Sequence, residues 1–153
     1  MTNLQEQILE VFKDFKVSRN GVMNPLSLDM RIKKWDSNSR NDSATAVKEL
    51  IGNGYISFDQ NWYTLLDKGY DHIFYGYSIA DTESLILGEF KSRKISIGHR
   101  LMRDSLSPLQ QSLERFHFDN FNPALKNLIL VGLIEIEDRS YKLTQKGYDK
   151  IYS

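Results

Sequence analysis

The chain contains the stretch Tyr63-Thr64-Leu65-Leu66-Asp67-Lys68-Gly69-Tyr70-Asp71-His72-Ile73-Phe74, and 78 residues later it contains the matching stretch Tyr141-Lys142-Leu143-Thr144-Gln145-Lys146-Gly147-Tyr148-Asp149-Lys150-Ile151-Tyr152. The same offset aligns the two halves of the sequence without a gap, and about 21 of 75 aligned pairs are identical. The identities concentrate at apolar and glycine positions, as expected where two copies build the same core. The sequence therefore predicts an internal duplication, with one unit over 1–76 and a second over 77–153.

Apolar periodicity predicts the first two helices of each unit. An apolar stripe with a 3.6-residue period opens the first unit, and the corresponding helix of the second unit is predicted over 81–91. A short β-prone piece, Ile95-Ser96-Ile97, follows it. A second helix is predicted over 28–35, with Leu28, Ile32 and Trp35 on one side. Its counterpart starts at Ser107 as N-cap, with Pro108 next and Gln110 three residues on, and it places Leu109, Leu113 and Phe116 on one face.

The third helix and the elements after it are clearer. In the first unit Asp42 or Ser43 is the predicted cap and Val47, Leu50 and Ile51 the inner face, whereas in the second unit the helix starts at Asn122-Pro123. Hairpins are predicted over 55–65 and 133–143, and closing helices over 67–74 and 145–152. The order helix, short strand, helix, helix, hairpin, helix is that of a winged helix-turn-helix. The predicted fold class is thus α+β, with two tandem winged helix-turn-helix units.

One pattern of residues resembles a known group of proteins. The sequence Gly132-Leu133-Ile134-Glu135, a polar turn, then Tyr141, Leu143, Thr144 and Gly147 resembles the C-terminal half of bacterial winged-helix regulators of the MarR and PadR kind. The resemblance covers about half of each unit. It implies that the third helix enters the major groove of DNA and that the hairpin, the wing, touches the backbone or the minor groove.

Composition and motifs exclude several classes. No stretch reaches the roughly 20 apolar residues of a membrane helix, and the N-terminus lacks the pattern of a secretory signal, so a cytoplasmic protein is expected. No phosphate loop, dinucleotide fingerprint or zinc-protease motif occurs, and His72, His99 and His117 are scattered. We expect no enzyme and no cofactor. Glu135, Glu137 and Asp138 gather three carboxylates, for which a solvated turn is a better interpretation than a cation site.

Double-stranded DNA is the expected partner of the fold, and polar residues near the two third helices are the candidate contacts. Lys48 and Lys126 occupy the same position in the two repeats, and either could also be an ordinary solvated helix lysine. The candidate nucleic-acid-binding residues are Arg31, Lys33, Lys34, Arg40, Ser43, Thr45, Lys48, Asn122, Lys126 and Asn127. A second basic group, Lys91, Arg93, Lys94, Arg100 and Arg103, is a further possible phosphate-facing patch or an exposed face.

The charge balance leaves a second interpretation open. The chain has 20 Lys+Arg and 20 Asp+Glu, so it lacks the basic excess typical of DNA-binding domains. The segment Glu135-Ile136-Glu137-Asp138-Arg139 makes the second wing acidic, and phosphate would repel a wing of that sign. The alternative is therefore a protein-interaction module whose aromatic residues Trp35, Phe116, Phe118 and Phe121 include exposed ones. The oligomeric state does not follow from the sequence.

Overall fold

The computed structural model describes all residues from Met1 to Ser153 and has an α+β fold. The chain divides into two compact units, unit 1 over Met1–Gly76 and unit 2 over Tyr77–Ser153. Each unit has its own helices, its own buried core and its own three-stranded antiparallel sheet. None of the helices has both the length and the apolar character needed to cross a membrane.

Unit 1 runs helix, strand, two helices, hairpin, helix. Its elements are α1 (Asn3–Asp14), β1 (Val22–Met23), α2 (Pro25–Ile32), α3 (Ser37–Gly52), β2 (Ile56–Asp59), β3 (Trp62–Leu65) and α4 (Asp67–Ile73). The hairpin β2–β3 pairs Ile56 with Leu65 and Phe58 with Tyr63, and β1 adds to β3, giving the strand order β1-β3-β2. Ile8, Phe12, Leu28, Leu50 and Leu65 are almost completely buried between these elements, so the apolar stripe of α1 faces the core.

Unit 2 follows the same order with extra short helical pieces. Its elements are α5 (Ile79–Ser92), β4 (Arg100–Met102), a 3-10 turn (Arg103–Leu106), α6 (Ser107–Ser112), α7 (Arg115–Asp119), α8 (Phe121–Leu130), β5 (Ile134–Glu137), β6 (Ser140–Leu143) and α9 (Gln145–Tyr152). The strand order is β4-β6-β5, and β5 pairs Ile134 with Leu143 and Ile136 with Tyr141. Both predicted hairpins and both closing helices are confirmed to within about a residue.

The repeated Lys-Gly-Tyr motif joins the closing helix to the end of the third helix. Lys68 donates a hydrogen bond to the carbonyl of Asn53 at 2.8 Å, and Lys146 does the same to Val131 at 2.8 Å, so each lysine caps the carbonyl end of a helix. The glycines Gly69 and Gly147 pack so tightly against the carbonyls of Tyr55 and Leu133 that no side-chain atom fits there. The motif therefore has a packing role, as its place after a strand predicts.

One strand and one helix start of unit 2 lie elsewhere than the sequence predicts. The segment Ile95–Ile97 is not a strand: the third strand of the sheet is β4 at Arg100–Met102, reached only after the chain turns at Gly98, which has φ +77°. Ser107 is not an N-cap, since the 3-10 turn runs directly into α6 and Leu106 precedes the helix without a side-chain cap.

The second and third helices also differ in extent from the prediction. Trp35 lies in a turn because α2 ends at Ile32, and Leu113 is extended at ψ 155°, which separates Leu109 on α6 from Phe116 on α7. Helix α3 begins at Ser37 behind the cap Asp36, six residues before the predicted start. Its buried side chains are Ser43, Ala46 and Leu50, so the inner face is rotated away from Ile51, which is exposed.

Candidate nucleic-acid interface

In unit 1 a four-residue turn joins α2 to α3. The turn, Lys33–Asp36, ends in a carboxylate cap: the backbone N–H of Ser39 donates to Asp36 Oδ1 at 3.0 Å and the Ser39 hydroxyl donates to Oδ2 at 2.8 Å. These hydrogen bonds hold the pKa of Asp36 below its ordinary value, and the bond from the backbone N–H of Ser39 has the larger effect. The cap fixes where α3 begins and therefore which side chains its outer face presents.

The outer face of α3 carries small polar groups and one cation. At 100° per residue, the positions opposite the buried Ala46 and Leu50 are Ser37, Asn41, Ala44, Thr45, Lys48 and Gly52, and all six are exposed. We call these six residues the α3 strip. It contains no carboxylate: Asp42 and Glu49 lie about 100° further round the helix, and Glu49 accepts a hydrogen bond from the Gln5 amide of α1. The strip therefore presents donors and acceptors without a repelling negative charge.

The basic residues around the strip fall into two groups. Lys33, Lys34 and Lys48 are exposed, and their side chains have no hydrogen-bond or ion-pair partner. Arg31 is engaged, since its guanidinium pairs with Asp14 at 2.9 Å and lies 5.1 Å from the centre of the Phe15 ring. Arg40 donates to the Ser37 hydroxyl at 3.2 Å. Only the first group is free to contact an anion without losing an existing partner.

Ser43 does not belong to the outer face. Its side chain is buried, with 8% of the residue exposed, and its hydroxyl donates to the Arg40 carbonyl at 2.8 Å within the same helix. The prediction that Ser43 points outward is wrong because the helix begins at Ser37 and its core face includes Ser43. Ser37 and Asn41 take the outward positions, and the sequence analysis missed both. The available signal was Asp36, a residue type that often caps helices, directly before a run rich in Ser and Asn.

A groove of about 410 Å³ lies beside the strip, between α2, α3 and β3. Thr45 and Lys48 form one edge, Asp29 of α2 the other, and Tyr63 of β3 lines it. The pKa of the Tyr63 phenol is raised, mainly by burial and to a lesser degree by the negative charge of Asp29. Tyr63 thus stays protonated near neutral pH and retains its hydrogen-bond donor.

The third helix of unit 2 presents a different surface. Helix α8 has 10 residues where α3 has 16, and its outward side carries Asn122, Lys126 and Leu130. Leu130 is 74% exposed and takes the position that Gly52 has in unit 1. The sequence places Asn122, Lys126 and Asn127 on one outward face of this helix. At 100° per residue Asn127 lies about 140° from Asn122, and its amide donates a hydrogen bond to Glu83 of α5. The prediction is therefore wrong for Asn127.

Of the three carboxylates of the β5–β6 hairpin, only Glu137 has an ion-pair partner. Glu137 accepts a hydrogen bond from Arg100 at 2.8 Å and pairs with Lys142, and the lysine bond is the main reason that the pKa of Glu137 is lowered. Alternation along β5 puts Glu135 and Glu137 on one face of the sheet, opposite the face of Ile134 and Ile136. Both strand carboxylates thus point away from the inner side of the hairpin. No group of three or more His, Asp or Glu side chains is arranged to hold a metal ion.

No protein-family model matches this chain, and no curated protein or solved structure matches it.

Proposed function

We propose that the chain is a small cytoplasmic transcriptional regulator that binds double-stranded DNA through unit 1. In this proposal the two units are tandem winged helix-turn-helix units derived from one duplication and related to regulators of the MarR and PadR kind. The observation that carries the proposal is the α3 strip: six exposed positions along a 16-residue helix that include Lys48 and no carboxylate, with the unpaired side chains of Lys33 and Lys34 in the turn before the helix.

The strip suits the major groove. A 16-residue helix is about 24 Å long and fits a groove about 12 Å wide. Asn41 and Thr45 are of the types that contact base edges, and Ala44 and Gly52 let the helix approach closely. Lys48 on the helix, with Lys33 and Lys34 in the turn before it, would contact phosphates on either side. Neutral net charge limits non-specific affinity, whereas the local face determines where phosphate binds.

Unit 2 has a smaller part in this proposal. Asn122 and Lys126 offer one amide and one cation, and the adjoining Leu130 supplies no hydrogen bond to a base or phosphate. Unit 2 would therefore add at most one phosphate contact.

Single lysine substitutions test this assignment. Lys48→Ala should weaken binding to mixed-sequence duplex DNA about threefold to tenfold and lower the slope of log K against log salt by about 1, since one phosphate contact is lost. Lys126→Ala should have a smaller effect. The matched control is Lys150→Ala, which removes from α9 an exposed lysine whose side chain has no partner and which belongs to neither basic group.

Fluorescence anisotropy with the full chain measures all three variants. Equal affinities for wild type, Lys48→Ala and Lys150→Ala would refute the role of the α3 strip. A larger loss for Lys126→Ala than for Lys48→Ala would move the DNA contact to unit 2.

The structure also bears on the protein-interaction alternative. Phe121 is buried, with 3% exposed, and Phe116, Phe118 and Trp35 are only partly exposed, so these aromatic rings do not form an open patch. Phe121 packs in the core of unit 2, so it is not one of the exposed rings that this alternative needs. The apolar surface of unit 2 lies instead around Leu130 and Ile136.

A further inference from the structure

Unit 2 has a groove of about 450 Å³ between α6, α8 and the β5–β6 hairpin. Its walls are mainly apolar: Leu106 before α6, Leu125, Ile129 and Leu130 on α8, and Ile136 and Tyr141 on the hairpin. Leu106, Leu125 and Tyr141 are packed into the core and form the floor. Ile129, Leu130 and Ile136 stand above them as the sides.

Comparison with unit 1 shows what is particular to this groove. The groove of unit 1 lies at the equivalent place, and eight of its nine lining positions correspond to lining positions in unit 2 at the 78-residue offset. Ser43 is replaced by Phe121 and Gly52 by Leu130. The same arrangement of helices and hairpin thus forms a more polar groove in unit 1 and a more apolar groove in unit 2. The core requires neither exposed apolar side chain, because Leu130 and Ile136 are 74% and 51% exposed.

The charged residues at this groove are all cations. Arg103 and Lys126 line it, and neither side chain has an ion-pair or hydrogen-bond partner. The backbone N–H of Arg103 donates to the Arg139 carbonyl at 2.8 Å, so this segment lies beside the hairpin turn, where Asp138 and Arg139 contribute one charge of each sign. The nearby carboxylates of Glu135 and Glu137 lie on the other face of the sheet. A complementary ligand is therefore apolar in its middle and negatively charged at its edges.

The exposed flanks favour a peptide over a small molecule. A small-molecule site encloses most of its ligand in a concave pocket. Here Leu130 and its neighbour Val131, which is 45% exposed, extend the apolar surface beyond the groove itself. Contiguous exposed apolar surface of this kind, bordered by charge, is typical of protein interfaces.

We propose that this groove binds a short amphipathic segment of a partner protein, with two or three apolar side chains flanked by Asp or Glu. The apolar side chains lie against Ile129, Leu130 and Ile136. The acidic side chains pair with Arg103 and Lys126. This is the helix-in-groove mode of peptide recognition, in which spaced apolar anchors supply affinity and charges set orientation. The proposal is independent of DNA binding by unit 1.

The test is a selection of displayed random 12-residue peptides on the full chain, followed by anisotropy titrations of the enriched peptides. Two variants probe the groove, Leu130→Gln and Arg103→Gln. The matched control is Leu26→Gln, which changes a leucine of unit 1 that is 65% exposed. Thermal unfolding of each variant checks that it remains folded.

The proposal predicts enriched peptides with Leu, Ile, Phe or Met at helical spacing beside Asp or Glu. Leu130→Gln should weaken their binding about tenfold, Arg103→Gln about fivefold with a smaller salt dependence, and Leu26→Gln not at all. Failure to enrich any peptide, enrichment of basic peptides, or equal binding by wild type and Leu130→Gln would each overturn the proposal. DNA affinity of Leu130→Gln, measured alongside, separates this result from that of the α3 strip.

Discussion

Replacing Gly147 by alanine tests the close packing on which each unit depends. Gly147 lies in the first turn of α9, where an added Cβ would press against the Leu133 carbonyl, with its carbon at 3.0 Å, and would lie 2.9 Å from Leu143 Cδ1. The carbonyl has little freedom to move, because it also accepts hydrogen bonds from the backbone N–H of Thr144 at 3.2 Å and from its hydroxyl at 3.1 Å. The methyl group therefore has to displace backbone and not a flexible side chain.

The expected magnitude follows from two opposing effects. Alanine stabilises a helix relative to glycine by about 1 kcal/mol. Overpacking a filled site costs about 1–3 kcal/mol. Because the added methyl group of Gly147→Ala meets backbone atoms, its overpacking cost should lie at the upper end of that range. The net loss should be about 2 kcal/mol. For a unit of this size that corresponds to a fall of about 10 °C in the unfolding midpoint.

Gly88→Ala is the matched control. Gly88 is also a helical glycine of unit 2, but no atom lies within 4 Å of the position its Cβ would take. Only the propensity effect operates there, so Gly88→Ala should raise the free energy of unfolding by about 0.5–1 kcal/mol. Circular dichroism during thermal and urea unfolding measures both variants. If Gly147→Ala were as stable as wild type while Gly88→Ala gained stability, the packing argument would be refuted.

Two further predictions concern α3. The pKa of Asp36 is lowered, so its cap stabilises the folded state above the ordinary carboxyl pKa and this contribution is lost as the pH falls through the lowered value. Asp36→Ala should therefore lower the midpoint of thermal unfolding at pH 7 but not at about pH 2. An equal difference between the midpoints of wild type and variant at both pH values would contradict the role of the ionised Asp36 as a helix cap. Ser43→Ala should leave DNA affinity within about twofold of wild type, because the hydroxyl is buried and bonded within its helix; a tenfold loss in an anisotropy titration would place Ser43 at the interface after all.

The sequence predicts those parts of the fold that have a strong local pattern. Both hairpins follow from alternation and a polar turn, and both closing helices follow from the Lys-Gly-Tyr motif. The start of α3 escapes prediction because its first turns, Ser37–Asp42, are exposed and carry no apolar periodicity. Strands β1 and β4 have two and three residues, too few for a period to be visible.

The candidate site is only partly predictable for a similar reason. Lys33, Lys34, Thr45 and Lys48 are exposed, as their polarity predicts. Arg31 pairs with Asp14, and Asn127 donates a hydrogen bond to Glu83. Both contacts join residues that are far apart in sequence, so only the folded structure reveals them. The apolar groove of unit 2 likewise combines α6, α8 and a hairpin, so no single segment indicates it.

If unit 1 presents a phosphate-contacting face, a titration of the full chain into mixed-sequence duplex DNA at about 50 and 200 mM salt will detect it. With Lys33, Lys34 and Lys48 as contacts, log K should fall with log salt with a slope of about −3, so affinity should drop roughly sixtyfold between the two conditions. Absence of binding at 50 mM salt, or an affinity that does not change with salt, would show that unit 1 has no phosphate-contacting face.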